Sequence, residues 1–217
     1  REGYGIIDNK TLDFYTDSLK IILPIMYLNL KDENYIDKAK LAFVFNIKNN
    51  ESHYIGKFPD KFYSIDRSRT NLMIPDIIIN SDFIVLSYKR EKELYLFSIE
   101  QNVFRSVICA DPKLPLDVDY RATDDSFMDA AHEEFGGLYK ALLYDELNRN
   151  YYRISVSYPG FKGDLPNSIE MLNILGSKRE LRATVLNEDF QIIAQTKLPN
   201  VSENNCFIKD GRLYMRS

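Results

Sequence analysis

Phe83-Ile84-Val85-Leu86-Ser87-Tyr88 runs into Lys89-Arg90-Glu91-Lys92-Glu93 and then into Leu94-Tyr95-Leu96-Phe97-Ser98-Ile99. Two apolar runs flank five charged residues, which is the pattern of two strands joined by a hairpin loop. Glu100-Gln101-Asn102 leads into a third run at 103–108, so the segment predicts a meander. Side chains alternate between the faces of a strand, so Phe83 and Val85 point one way and Ile84 and Leu86 the other. Both faces are therefore apolar, as they are at 41–45 and 94–97. A strand in a simple sandwich alternates apolar and polar instead. Antiparallel strands buried on both faces need neighbours on each side, and the blades of a propeller have them.

The motif recurs outward from this centre. Residues 41–47 turn at Lys48-Asn49-Asn50 into His53-Tyr54-Ile55, and 138–144 turn at 145–150 into 151–158. Residues 181–186 turn at Asn187-Glu188-Asp189 into 190–194, and 206–208 turn at Lys209-Asp210-Gly211 into 213–215. Asp-Gly is the strongest turn signal of these, because tight hairpins need positive φ. The turns centre near 49, 91, 148, 188 and 210. A recurring unit of about 40–45 residues matches one four-stranded blade. On that count the turns near 188 and 210 belong to one blade. The strand at 151–158 differs from the rest. Arg153, Ser155 and Ser157 line one face against Tyr152, Ile154 and Val156, so its polar side is expected to be wet.

Two short stretches predict helices. Residues 124–135 place Phe127, Ala131 and Phe135 at i, i+4 and i+8, after Asp124 and Asp125. Residues 167–175 begin on Asn167 with Glu170 three later, a capping-box spacing, and stop at Gly176. The expected fold is all-β: antiparallel four-stranded blades of a partial β-propeller, three to four of them, with two short helical insertions. Residues 1–217 read as one such domain. The chain starts at Arg1 and its last hairpin runs to Ser217, so extension in both directions is expected.

Composition narrows the function. The chain has 217 residues with a net charge of -4, so the basic field of a dedicated nucleic-acid binder is missing. Fifteen Tyr and thirteen Phe without a single Trp favour strands. No run reaches the roughly 18 apolar residues that span a bilayer. Cys109 and Cys206 are the only cysteines; one disulfide is arithmetically open, but Cys109 at a strand end reads as a small buried hydrophobe.

Catalytic signatures are scarce. There is no G-x-G-x-x-G, P-loop, G-x-S-x-G or C-x-x-C pattern. His53, beside Ser52 and Tyr54, reads as an edge or surface side chain. Asp125, Asp129, His132 and Glu133 share helix faces with Asp124 and Glu134 nearby, and carboxylates with an imidazole can hold a divalent cation. The spacing matches no strict ligand loop, and a solvated face opposite the Phe127 stripe is the expected reading. No metal and no cofactor is therefore expected. Lys89, Arg90 and Lys92 alternate with Glu91 and Glu93 as a solvated turn, and Arg67 and Arg69 flank Ser68 in a loop.

Three stretches carry a resemblance: Leu143-Tyr144-Asp145-Glu146-Leu147-Asn148-Arg149-Asn150-Tyr151-Tyr152-Arg153, residues 183–196 (ATVLNEDFQIIAQT), and Phe207-Ile208-Lys209-Asp210-Gly211-Arg212-Leu213-Tyr214. The chain resembles bacterial TolB-like six-bladed propeller lipoproteins that carry a domain-of-unknown-function label. The likeness runs from Phe83 onward. It implies export and a lipidated cysteine outside this chain, and it supplies no catalytic residues. The expected function is thus a non-enzymatic binding protein of the bacterial cell envelope. Its partner would be an envelope protein, a peptide or a glycan, with no nucleic acid and membrane contact only through the anchor. The alternative is a propeller-type hydrolase or lyase built on inter-blade loops, with Asp66, Arg67, Asp76, Asp117, Asp119 or Arg121 converging in one pocket.

Overall fold

The structure is a computed structural model, and it describes residues 4–6, 15–16, 19–27, 35–60, 75–114, 116, 137–158, 179–199 and 206–215. Its strands are β1 (Tyr4–Ile6), β2 (Tyr15–Thr16), β3 (Lys20–Tyr27), β4 (Ala42–Asn46), β5 (Glu51–Ile55), β6 (Asp76–Ile79), β7 (Phe83–Ser87), β8 (Glu93–Ser98) and β9 (Val103–Ile108). These are followed by β10 (Leu138–Asp145), β11 (Asn150–Ser157), β12 (Glu180–Leu186), β13 (Ile192–Leu198), β14 (Cys206–Lys209) and β15 (Arg212–Met215). One helical turn, α1 (Tyr35–Lys38), is described.

The sheets are antiparallel meanders. In the first, β3 pairs β4 and β4 pairs β5, while β1 and β2 share the other edge of β3. The second runs β6-β7-β8-β9 and the third β10-β11-β12-β13. The hairpin β14-β15 forms a fourth, two-stranded sheet. Each four-strand meander has the form of a propeller blade, so the chain is all-β and folds as part of a propeller. The two predicted helices at 124–135 and 167–175 lie outside the described residues.

The chain divides into two compact units: Arg1–Tyr88 with Leu94–Val107, and Lys89–Glu93 with Ile108–Ser217. In the first unit the two sheets bury one core. Ile22, Ala42 and Val44 meet Ile79, Ile84, Leu86, Tyr88 and Phe97, and Phe58 closes it. The Phe58 and Tyr88 rings lie 6.4 Å apart, and Tyr88 meets Tyr95 edge-on at 5.6 Å. Strands β7 and β8 are buried on both faces, as the unbroken apolar runs demand.

In the second unit one face of the β10–β13 sheet packs Leu138, Ile154, Val156, Leu181 and Ala183, with Leu213 and Met215 of β15 against them. The other face corrects the reading of β11 as wet on one side. Arg153, Ser155 and Ser157 are buried. The reason is position: β11 pairs with both β10 and β12, and Cys109 and Asp111 supply bonding partners to that face. The turns near 188 and 210 also lie in different sheets, since β12-β13 belongs with β10-β11 and β14-β15 stands apart. The expected pairing of those two hairpins in one blade is therefore overturned.

Candidate functional site

Two polar assemblies stand out, one in each unit. The buried one lies in the second unit and begins at Arg153. Its Nη2 donates to the carbonyls of Glu91 at 2.7 Å and Glu93 at 3.3 Å. Its Nη1 donates to those of Lys92 and Cys109, both at 3.1 Å. The guanidinium lies 3.3 Å from the centroid of the Tyr139 ring. A planar fork of donors suits several carbonyls at once, which an ammonium could not span. The turn at 89–93 is accordingly half-buried, with its carbonyls turned inward, rather than simply solvated.

The lattice continues through Tyr139 and Asp111. The Tyr139 hydroxyl donates to the Cys109 carbonyl at 3.4 Å and accepts from the Asp111 amide at 3.0 Å. Burial pushes the Tyr139 phenol up, with Arg153 opposing it. Asp111 Oδ2 accepts from Ser155 Oγ at 2.9 Å and Arg182 Nε at 3.2 Å. Arg182 then meets Glu180 at 3.2 Å, and Lys197 reaches Glu180 at 3.0 Å. Cys109 is buried and its Sγ faces the Phe190 carbonyl at 3.6 Å. Burial pushes its thiol up to about 11 against the pull of Arg153, so it stays protonated near neutrality. Cys109 and Cys206 are not joined in a disulfide. The hydrogen bonds of this lattice hold loops onto a sheet face, and its thiol is neither ionised nor exposed.

The open assembly is a groove of about 760 Å³ in the first unit, between the outer strands β5 and β9. It arises from two turns. At Lys48-Asn49-Asn50 the left-handed φ of 56° at Asn50 and the Asn46 side chain, which accepts from the Lys48 amide at 3.0 Å, swing β5 back on β4. At Gln101-Asn102 a φ of 56° at Asn102 and the Ser98 hydroxyl, accepting from the Gln101 amide, do the same for β9. Asn tolerates this conformation better than most residues. Phe97 and Phe104, 5.1 Å apart, and Ile55 give the groove apolar surface. Lys40, His53, Lys57, Asp60 and Asn102 make its polar lining. Lys57 and Asp60 form an exposed ion pair at 3.0 Å. Its volume falls within the roughly 300–1,000 Å³ usual for ligand sites.

His53 is an exposed edge-strand side chain, as its sequence context implied, and it borders this groove. Asp125, Asp129, His132 and Glu133 lie outside the described residues. So do Asp66, Arg67, Arg69, Asp117, Asp119 and Arg121; Asp76 alone of the inter-blade set is described, half-buried at the start of β6. Among the described residues no cluster of His, Cys, Asp and Glu could hold a metal ion, and no helix is long and apolar enough to cross a membrane. Lys40, Lys57 and Phe104 were not singled out from sequence. Nothing in local periodicity says that residues 40–57 and 97–104 share a groove.

No protein-family model and no curated protein sequence matches the chain. Among solved structures it is similar to a member of the DUF4221 family from Bacteroides vulgatus, with a TM-score of 0.61 and 15% identity. That match covers 94% of this chain and 57% of the other, so the chain spans little more than half its neighbour's length. At this identity the likeness shows the fold alone. An acylaminoacyl peptidase from Pyrococcus horikoshii matches at a TM-score of 0.42 and 10% identity, over 92% of this chain and 28% of the peptidase in its uncomplexed form. At that score it carries no functional argument.

Proposed function

We propose that the chain belongs to a non-enzymatic binding protein of the bacterial cell envelope, with the β5–β9 groove as its ligand site. The groove carries this reading: apolar and aromatic surface from Phe97, Phe104 and Ile55 adjoins polar side chains that can orient a ligand. The buried polar groups of the second unit point the same way, since Arg153, Asp111 and Ser155 are engaged in holding loops. The envelope assignment rests on the resemblance to TolB-like lipoproteins, with the lipid anchor outside this chain.

The test uses the full-length protein on peptide and glycan arrays. A ligand should be retained, and Phe104→Ala should release it at least tenfold without changing the β-sheet circular dichroism. A ligand held equally by the variant, or no ligand at all, would defeat the groove as a site. Envelope placement has its own check. Cells given a labelled fatty acid should transfer the label to the protein and retain it in the membrane fraction; an unlabelled, soluble protein refutes that part.

A further inference from the structure

We infer that the groove takes an acidic saccharide, with the acid group at Lys40 and the sugar ring over Phe104. This rests on the groove being the ligand site and specifies what occupies it.

The floor of the groove is the rim of a core. Phe97 is buried in the core of the first unit, and Ile55, Ile99 and Phe104 pack against it half-buried. All four line the groove. His53 and Ile55 stand two apart on β5, so they share a face, about 7 Å from one to the next. Ile55 reaches the core, and His53 on the same side is exposed. Lys40 precedes Leu41, whose amide donates to the Ile55 carbonyl at 3.0 Å, which places Lys40 at the Ile55 end of β5. The cation therefore stands at one end of the floor and the imidazole further back along it.

Charge sets the sign of the ligand. The whole chain is acidic at -4, yet Asp60 is the one carboxylate in the lining, and it pairs with Lys57 at 3.0 Å. Among the described residues no hydrogen bond or ion pair engages the side chains of Lys40, His53 or Asn102. One uncompensated ammonium matches a singly charged acid such as a carboxylate, whereas a phosphate monoester carries nearly two charges.

Hydrogen-bonding chemistry sets its class. The Asn102 amide and a neutral imidazole at His53 each offer both a donor and an acceptor, and a hydroxyl is likewise both. The C–H face of a pyranose suits the electron-rich face of the Phe104 ring. An acyl chain would desolvate Lys40, His53 and Asn102 without replacing their partners. A peptide brings one N–H and one C=O per residue, which three side chains cannot satisfy along its length. A saccharide keeps the hydroxyls of its outer edge in water.

The probes are fluorescein-labelled tetragalacturonate, hyaluronan tetrasaccharide and sialyllactose, each with its methyl ester, titrated into the full-length protein by anisotropy. Saturable binding of at least one acid is expected, with its ester about tenfold weaker. Lys40→Glu should remove that difference between acid and ester, and Lys40→Arg should keep it. Asn102→Gly suits the φ of 56° there and removes only the amide, so it should weaken acid and ester alike, several-fold. Acid and ester bound equally, or a preference for the acid that survives Lys40→Glu, overturns the charge assignment. If no acid binds while an array retains a peptide or a neutral glycan that Phe104→Ala releases, the acidic saccharide is overturned and the groove stands. If Phe104→Ala releases nothing, the groove reading falls first.

Discussion

At the residue scale the side chains that matter most are out of keeping with their surroundings. Arg153 is fully buried in the middle of a sheet and donates to four carbonyls. Truncating it leaves those acceptors dry, so Arg153→Ala should cost about 3–5 kcal/mol in urea unfolding. Arg153→Lys should recover little, because one ammonium cannot replace the fork. Phe190 is buried with a left-handed φ of 62°, its ring stacked on Tyr151 at 4.8 Å. A large residue is strained there by about 1–2 kcal/mol, which packing offsets. Phe190→Gly should thus lose less stability than Phe190→Ala, by about 1 kcal/mol; equal losses would remove the strain argument. Cys109, protonated and buried, should react with an alkylating reagent at pH 8 only as fast as the protein opens, and after Cys206. Lys197 chiefly, then Arg182, holds the Glu180 carboxyl below the usual range, although burial opposes them. A depressed folded pKa gives stability that is present above the unfolded value, about 4.3, and lost as pH falls through the folded one. The melting-temperature gap between wild type and Glu180→Gln should therefore close below about pH 4.

At the element scale the hairpins were legible and their grouping was not. Six strand pairs announce themselves by apolar runs broken by Asn, Asp, Gly and charge, and the structure has strands at each, with β13 beginning at Ile192 rather than Phe190. A four-stranded meander, however, contains three turns of similar chemistry. The turns near 49 and 188 close the outer hairpins β4-β5 and β12-β13, that near 91 joins the central strands β7 and β8, and that near 148 opens a blade. Spacing near 40 residues therefore compared unlike turns. Two glycines show what loops require. Gly137 has a φ of 77°, and a Cβ there would stand 2.7 Å from Leu114 Cδ1. Gly137→Ala should cost about 1–2 kcal/mol from the backbone alone, with the Leu114 collision added, measurable as a drop in urea midpoint. Gly56 meets Leu41 in the same way at the end of β5.

At the scale of the whole molecule, net charge and local charge disagree, and ligand binding should report which governs. Between about 0.05 and 0.5 M salt the screening length shrinks from more than 10 Å to a few ångströms. Affinity for an acidic ligand of the groove should fall several-fold over that range, because Lys40 in its lining attracts negative charge. A rise with salt would mean that the chain's net charge of -4 dominates instead. By itself the sequence determined the all-β class, the hairpins and the doubly buried strands, because strand periodicity and turn chemistry are local and legible in a few residues. It also carried the burial of Cys109. Only the tertiary structure decided that Arg153, Ser155 and Ser157 face a covering loop and not water, and that β5 and β9 border one groove. Those outcomes depend on which distant segments meet, and an alternating polar face looks the same in sequence whether solvent or main-chain carbonyls receive it.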